Sequence, residues 1–272
     1  MKTWFITGAT RGFGALIMEA VLASGDAVVA TARDPSSIAD HPRLLKLPLD
    51  VTNEGQARDA AAKSIEKFGA IDVLVNNAGY GLLGAVEESS AFEVERVFAT
   101  NVFGLLNVTR AVLPYMRERR SGHIVNMSSI GGYAANYPGW GVYCATKFAV
   151  EGISEALSVE LAPLGIHATV VEPGFFRTDF LSAQSLSSTA ARIDDYADTG
   201  GKMRSFAAAA NHQQPGDPQR LAQVIVQLAS EKKPPTRLAL GSDTVARIEE
   251  KNRDVQRELD LWRSVSLSTD FT

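Results

Sequence analysis

Thr7-Gly8-Ala9-Thr10-Arg11-Gly12-Phe13-Gly14 joins the first apolar run of the chain to its first stretch of helical periodicity. A glycine-rich turn in this place lets the backbone come close to a pyrophosphate, and the following helix offers free N–H groups to the anion. The glycines stand at positions 8, 12 and 14, so the spacing G-x-G-x-x-G is absent, and no Gly-Lys-Ser/Thr follows as in a P-loop. The turn predicts a dinucleotide site, with a purely structural turn as the alternative.

Short apolar runs alternate with helical stretches along the rest of the chain. The strand-like runs are residues 3–7, 27–31, 44–47, 73–75, 123–127, 167–171 and 237–240, and the helical stretches include 12–23, 56–68, 92–119, 143–161 and 218–230. Several strand runs lack polar alternation, which is typical of strands covered by helices on both faces. The order predicts an α/β fold, a Rossmann-type doubly wound parallel sheet of about seven strands. We expect residues 1–272 to form a single domain.

Two segments depart from this alternation. Residues 182–217 are rich in Ser, Ala and Gly, and a connection this long is typical of a functional lid or a disordered loop, so we interpret it as a substrate lid. Asp217 and Pro218 suit the N-cap and first position of the next helix. Residues 243–272 predict a C-terminal helix over 243–263 followed by a tail, with one apolar side of the helix made by Val245, Ile248, Val255, Leu259 and Trp262.

The composition restricts the partners that the protein can have. The chain has 272 residues, a net charge of −4 and no dense run of Lys or Arg, which argues against nucleic acid. Cys144 is its one cysteine, so we expect no intrachain disulfide and a reducing compartment. We see neither a signal-peptide pattern nor an apolar stretch long enough for a membrane, which predicts a cytoplasmic protein. The four histidines are scattered, and no metal site is expected.

Tyr143 and Lys147 stand four residues apart, which places them on one face of a helix. A free phenol titrates near pH ~10, too high for acid–base work at neutrality. A unit charge about 4 Å away, at an effective dielectric of about 20, interacts by roughly 4 kcal/mol. That corresponds to a fall of up to roughly three pKa units. The pair predicts a tyrosine general acid/base, with an ordinary solvated helix face as the alternative.

With the glycine turn and the Tyr143/Lys147 pair in one chain, the sequence resembles the short-chain dehydrogenase/reductase family, in its compact single-domain branch with the turn TGxxxGxG. Further matches are Leu49-Asp50-Val51, Asn76-Asn77-Ala78-Gly79, Asn101, Ser128-Ser129, and Pro173-Gly174 with Thr178. The matches cover roughly residues 3 to 180. The stretch from Tyr143 to Gly152 is similar to hydroxysteroid-dehydrogenase-like and carbonyl-reductase-like members.

The resemblance implies a catalytic set of Asn101, Ser129, Tyr143 and Lys147. Ser129 would orient a substrate carbonyl, and Lys147 would also bind the nicotinamide ribose. Asn101 would hold a water on a proton route. Ser129 lies one residue further from Tyr143 than the family's serine usually does, which we attribute to the loop 132–141 and which leaves Ser128 as the alternative.

The resemblance also implies which residues contact the cofactor. They are Gly8, Thr10, Arg11, Gly12, Phe13 and Gly14 in the turn, Asp50 and Val51 at the adenine, and Asn77, Ala78, Gly79, Tyr143, Lys147, Pro173, Gly174 and Thr178. An acidic residue after the second strand binds ribose hydroxyls, whereas a basic one tolerates a 2′-phosphate. Here Arg33 comes first and Asp34 second, and Arg11 adds a positive charge. We therefore favour NADP(H), with NAD(H) possible.

The predicted function is reversible hydride transfer between NADP(H) and a carbonyl or secondary alcohol, with Tyr143 as the acid/base. The aromatic residues near the predicted pocket mouth are Tyr133, Tyr137, Trp140, Phe175, Phe176 and Phe180. They indicate an apolar or bulky small-molecule substrate, which would contact Ser129, Trp140, Tyr143 and Phe180. An NAD-dependent alcohol dehydrogenase and a non-catalytic nucleotide sensor are the alternatives. The resemblance implies a homodimer or homotetramer, packed through helices 92–119 and 143–161.

Overall fold

The computed structural model describes residues 1–271. The strands are β1 (Thr3–Thr7), β2 (Ala27–Ala32), β3 (Leu44–Pro48), β4 (Val73–Asn76), β5 (Gly81–Leu83), β6 (Gly122–Met127), β7 (Ile166–Pro173), β8 (Leu186–Ser188) and β9 (Arg237–Leu240). The α-helices are α1 (Gly12–Ala23), α2 (Glu54–Phe68), α3 (Ala91–Phe98), α4 (Leu105–Arg119), α5 (Gly141–Leu161), α6 (Lys202–Ala210), α7 (Pro218–Leu228) and α8 (Ser242–Leu267). The main sheet is parallel, with the order β3-β2-β1-β4-β6-β7-β9. This confirms the predicted doubly wound α/β fold.

Helices cover the sheet on both faces, which explains the unbroken apolar runs of its strands. One apolar cluster packs α2, α4 and α5 against the sheet, and includes Phe5 and Leu74. A second packs α1 and α7 against the other face, and includes Trp4 and Ile6. Every residue of β1 and β4 is buried. Successive side chains along a strand point to opposite faces of the sheet. A strand covered on both faces therefore needs consecutive apolar residues to fill both clusters.

The predicted helix 92–119 is not one regular helix. A π-helical segment, Ala99–Gly104, separates α3 from α4. A Cβ added at Gly104 would lie 2.6 Å from Val51 Cγ2, so the helix passes very close to the loop after β3. Taken as one helical stretch, Ala91–Arg119 is also long and apolar enough to cross a membrane, by length and composition alone. Our prediction that the sequence has no such stretch was therefore wrong. Within its most apolar window 56% of the residues are buried in the protein, as in a core helix.

Residues 182–217, predicted as a lid or disordered loop, are folded onto the body of the protein. β8 pairs with β5 in a parallel two-stranded sheet, and α6 follows. Arg204 donates two hydrogen bonds, of 2.7 and 2.9 Å, to the buried Glu88 carboxylate. Glu88 also accepts from the backbone N–H of Ile193 at 3.0 Å. Arg204 holds the pKa of Glu88 down to about 2, so at neutral pH this ion pair ties the segment to the body.

The C-terminal helix is longer than predicted, and its apolar side is open. α8 begins at Ser242 and ends at Leu267. Val255, Leu259 and Trp262 are 47%, 46% and 64% exposed in the single chain. The helices expected to form a subunit interface also carry exposed apolar side chains, Phe92, Phe103, Phe148 and Val159. Assembly through those helices stays a prediction.

Candidate active site

The sheet gathers the predicted site residues along its carboxyl edge. The turn after β1, the segment 77–79 after β4, Ser128 and Ser129 after β6, and Pro173 at the end of β7 border one cleft of about 1030 Å³. Ligands of doubly wound folds bind at this edge. The predicted residues that line the cleft are Gly8, Thr10, Arg11, Gly12, Phe13, Arg33, Asp50, Val51, Asn77, Ala78, Gly79, Ser129, Trp140, Tyr143, Lys147, Pro173, Gly174 and Phe180.

The glycine turn has the geometry that a pyrophosphate needs. Gly8 and Gly12 have φ values of 67° and 53°, a region that side chains disfavour. A Cβ added at Gly12 would meet no atom within 4 Å, so the turn is open on that side. The first turn of α1 carries no acidic residue, and the side chain of Arg11 does not cap it. Its N–H groups therefore remain available to an anion, and these residues fit a dinucleotide.

Asn77 fastens the glycine turn to β4. Its side-chain amide donates to the carbonyl oxygens of Thr7 at 2.9 Å and Gly8 at 3.1 Å. The Thr7 hydroxyl in turn accepts from the backbone N–H groups of Asn77 and Ala78, both at 3.0 Å. Asn77 thus holds the shape of the turn as well as lining the cleft.

The charged groups expected to select the cofactor have different surroundings. Arg33 is exposed and lines the cleft directly after β2. Asp34 accepts from the backbone N–H of Ser36 at 2.9 Å, and hydrogen bonds with Ser36 lower the pKa of this carboxyl. Arg11 donates to the carbonyl oxygen of Gln184 at 2.6 Å, so it bridges the glycine turn and the lid. Arg33 is therefore the less engaged of the two predicted phosphate ligands.

Tyr143, Ser129 and Lys147 come together at the inner end of the cleft. The Ser129 hydroxyl lies beside the Tyr143 phenol and lowers its pKa, and Ser129 Oγ accepts from the backbone N–H of Gly131 at 3.1 Å. Lys147 Nζ lies 5.8 Å from the centre of the Tyr143 ring and donates to the Met127 carbonyl at 2.7 Å. Ser128 instead points toward Gly132 and Glu151. Of the two serines left open by the sequence, Ser129 is the one beside the phenol.

Burial opposes the pKa shift that the Tyr143/Lys147 spacing predicted. Removal from water raises the pKa of Tyr143, and the hydrogen bond with Ser129 lowers it only in part. Burial likewise lowers the pKa of Lys147 to about 8, against a smaller opposite effect of Glu151. The structure therefore contradicts the predicted fall in the pKa of the Tyr143 phenol. Both groups are pushed toward their neutral forms, because each is only 7% exposed.

Three residues of the predicted catalytic and cofactor sets lie outside the lining of the cleft, as does Tyr133, which was expected near the pocket mouth. Gly14 is buried behind the turn. Asn101 donates from its side chain to the Tyr80 carbonyl at 2.9 Å and to the Thr146 hydroxyl at 3.1 Å. Asn101 nonetheless lies next to the cleft, because a Cβ built on the cleft residue Gly79 would be 3.0 Å from Asn101 Oδ1. Thr178 caps a short turn by accepting from the backbone N–H of Phe180 at 3.3 Å.

Aromatic side chains cover the candidate acid. The rings of Trp140 and Phe180 lie 5.5 and 5.6 Å from that of Tyr143. Cys144 is buried in the same cluster and packs as a small apolar residue. The cleft is also lined by residues for which the sequence carries no local signal, among them Tyr80, Arg96, Asp179, Leu181, Gln184 and Gln214. Of these, Gln184 and Gln214 come from the lid, whose position depends on long-range contacts.

Comparison with known proteins agrees with this geometry. A family model described as short chain dehydrogenase matches residues 2–188. The oxidoreductase BOA17 of Botryotinia fuckeliana is 36% identical over 98% of this chain and 99% of the relative. A 3-ketodihydrosphingosine reductase of Bacteroides thetaiotaomicron is 40% identical over 87% of this chain and 86% of the relative.

Solved structures show the same relationship. A short-chain dehydrogenase from Streptomyces avermitilis has a TM-score of 0.92 and 41% identity, covering 99% of each chain. A serine dehydrogenase complexed with NADP+ has a TM-score of 0.72 and 28% identity, covering 88% of this chain and 94% of the other. A short-chain dehydrogenase/reductase of Burkholderia phymatum in complex with NAD has a TM-score of 0.83 and 25% identity, covering 94% and 95%. The chain therefore belongs to the short-chain dehydrogenase/reductase family and is an NAD(P)-dependent oxidoreductase.

Proposed function

We propose that this protein reduces the carbonyl group of an apolar or bulky substrate with NADP(H), and that Tyr143 gives the proton to the substrate oxygen. The observation that carries the proposal is the buried Tyr143 phenol in the cleft, beside Ser129 and one helical turn from Lys147. Burial keeps the phenol protonated, which is the form that a reduction consumes. The relative named 3-ketodihydrosphingosine reductase supports the same direction, because its name describes reduction of a keto group.

Each candidate catalytic residue has a defined part. Ser129 Oγ already accepts from a backbone N–H, so its own hydrogen is left to donate to the substrate carbonyl oxygen. Tyr143 transfers its proton to the same oxygen, and the Lys147 ammonium stabilises the phenolate that is left. Asn101 is proposed to hold a water between Lys147 and solvent. The hydride is supplied by the nicotinamide dinucleotide when it is bound.

The surroundings of Arg33 and Asp34 support NADP(H) over NAD(H). Arg33 lines the cleft at the place where a 2′-phosphate would follow β2. One oxygen of Asp34 already accepts from Ser36 in its own turn, which leaves it less able to hold the ribose hydroxyls. NAD(H) is the second candidate, because Asp34 also lines the cleft.

In a fluorescence titration we expect NADPH to bind at least tenfold more tightly than NADH, a difference of about 1.4 kcal/mol. Arg33→Ala should remove most of that preference, because the guanidinium can pair with a phosphate but gains little from a ribose hydroxyl. Arg58→Ala is the matched control, since Arg58 is exposed on α2 and pairs with Glu54. Tighter binding of NADH would move the role to Asp34 and favour an oxidative dehydrogenase.

The substrate class rests on the walls of the cleft near Tyr143. Tyr137, Trp140, Phe175, Phe180 and Leu181 all line it. Burial of apolar surface favours binding by about 25 cal/mol per Å², so a ketone with a large apolar group gains most here. In a panel of ketones that differ only in their side group, we expect kcat/KM to rise with apolar size. Turnover confined to small charged ketones would contradict this assignment.

A further inference from the structure

Two buried glutamates lie close together near the candidate active site, and one of them is a neighbour of the candidate catalytic lysine. Glu151 is one turn after Lys147 on α5, and Glu172 is the penultimate residue of β7. They are 4% and 1% exposed. Each of the two carboxyl groups shifts the pKa of the other, and β7 packs directly beside α5, so the pair lies close together. Neither residue belongs to the set that the proposed reaction uses, yet a buried carboxyl pair is costly unless each oxygen finds a donor.

The donors present are too few for two ionised carboxylates. Glu151 Oε2 accepts from Arg237 Nη1 at 3.3 Å, and Arg237 also pairs with the exposed Glu155 at 3.1 Å. Within residues 1–271, Glu151 Oε1 and Glu172 Oε1 have no hydrogen-bond donor. Two carboxylates in contact also repel each other, and neither can donate to the other. One proton placed between them would satisfy an orphaned oxygen and remove the repulsion.

Charged and polar groups face the pair from every neighbouring element. Lys147 and Glu155 lie on α5, Arg237 lies on β9 with the Tyr133 ring 5.8 Å from its guanidinium, and Ser128 follows β6. Within residues 1–271 the buried Ser128 hydroxyl makes no hydrogen bond of normal geometry, but it faces Glu151 and lowers the pKa of that carboxyl. A Cβ added at Gly132 would meet both Ser128 Oγ at 2.5 Å and Glu151 Cγ at 3.1 Å, so the two residues border the same small space. The Glu151/Glu172 pair therefore has two cations nearby, Lys147 and Arg237, and one further carboxylate, Glu155.

We propose that Glu151 and Glu172 hold a single proton between them, and that the remaining negative charge keeps Lys147 protonated during the reaction. The first half concerns the resting protein, and the second rests on the function proposed above for Lys147. Burial and the neighbouring Glu151 charge raise the pKa of Glu172, in agreement with a protonated partner. Burial lowers the pKa of Lys147, whereas the negative charge of Glu151 raises it. Removal of the Glu151 charge would therefore leave the effect of burial on Lys147 unopposed. Both glutamates are positioning residues, because they act through Lys147.

The shared proton can be tested without any turnover. Glu172→Gln keeps the shape of the side chain and replaces the proton by a permanent amide donor. We expect wild-type protein at pH 6.5 to show the infrared band of a buried carboxylic acid, and Glu172→Gln to lose it. The matched control is Glu155→Gln, which removes a carboxylate from Arg237 on its solvent side and should keep the band. Absence of the band from the wild-type protein would overturn the proposal.

The shared proton should also affect how the stability of the protein depends on pH. A carboxyl with a raised pKa contributes stability that is fully present below its unfolded value, about 4.5, and is lost as the pH rises through its folded value. The melting temperature of Glu172→Gln relative to wild type should therefore increase as the pH is raised above 4.5, whereas that of Glu155→Gln should not. A uniform change at every pH would mean that Glu172 only packs, which also overturns the proposal.

The link to Lys147 is tested by the pH profile of kcat. Glu151→Gln should move the alkaline fall of kcat to lower pH by at least half a pH unit, about a threefold change in the proton affinity of Lys147. Glu155→Gln should leave the profile in place. An unshifted profile in Glu151→Gln, with the carboxylic-acid band present in wild type, would refute the link alone. If no carbonyl compound turned over, the proposed function would fail, and the infrared result would still decide the shared proton.

Discussion

Tyr143→Phe is expected to lower kcat for carbonyl reduction by about 10³-fold, because a positioned general acid contributes on the order of 10² to 10⁴. Only the hydroxyl is removed. The ring keeps its contacts with Trp140 and Phe180, at 5.5 and 5.6 Å, so the fold of the cleft should not change. The polar contact of the phenol oxygen with Ser129 is lost, but Ser129 still accepts from the backbone N–H of Gly131. Steady-state kinetics and an NADPH titration of the same preparation would measure both effects.

The control for this variant is Tyr133→Phe. The Tyr133 hydroxyl contacts Asn252 on α8, and this residue does not line the cleft, although its ring packs on Arg237. We expect kcat of the control within twofold of wild type, and the NADPH affinity of both variants close to wild type. A kcat for Tyr143→Phe within tenfold of wild type would remove Tyr143 from the role of acid. Loss of NADPH binding would instead show that the phenol mainly supports the cofactor site.

The sequence predicted the parts of the fold that depend on local pattern. Helix α1 was predicted with the bounds that it has, since a glycine turn begins it and Ser24-Gly25 ends it. All main-sheet strands were found, because burial on both faces forces continuous apolar runs. The pair β5 and β8 was missed. Each has three residues, and the pairing of Gly81 with Leu186 joins segments about a hundred residues apart, for which no local periodicity exists.

The candidate site shows the same division between local and long-range information. Spacing alone places Tyr143 and Lys147 on one helical face, and the structure has them there. Their electrostatics depend on Trp140, just before α5, and on Phe180 from a separate segment after β7, which together exclude water from the phenol. The spacing of Tyr143 and Lys147 reveals only the neighbouring charge and so predicted a lowered pKa for the phenol, whereas burial raises that pKa. The same limit hid Glu172, whose relation to Glu151 exists only after β7 packs beside α5.

Gly14→Ala should destabilise the protein by about 1–3 kcal/mol, in the range found for overpacked cores, and should abolish tight NADPH binding. The added Cβ would overlap the Gly8 carbonyl oxygen and lie 2.6 Å from Asn77 Nδ2. These are rigid partners, because Asn77 is fixed by its bonds to Thr7 and Gly8. The turn must therefore move away from α1, and its N–H groups lose their common direction. Thermal unfolding and the NADPH titration would report the two effects separately.

Gly152→Ala provides the matched control, because it adds the same methyl group to a helical glycine. A Cβ at Gly152 meets no atom within 4 Å, and the residue is exposed on α5. Alanine is the better helix former by about 0.5–1 kcal/mol, so this variant should be slightly more stable and bind NADPH normally. If Gly14→Ala bound NADPH as tightly as wild type, the close approach of α1 to the glycine turn would not be what shapes the phosphate site. Binding that is lost while the melting temperature is kept would assign Gly14 a direct role at the cofactor.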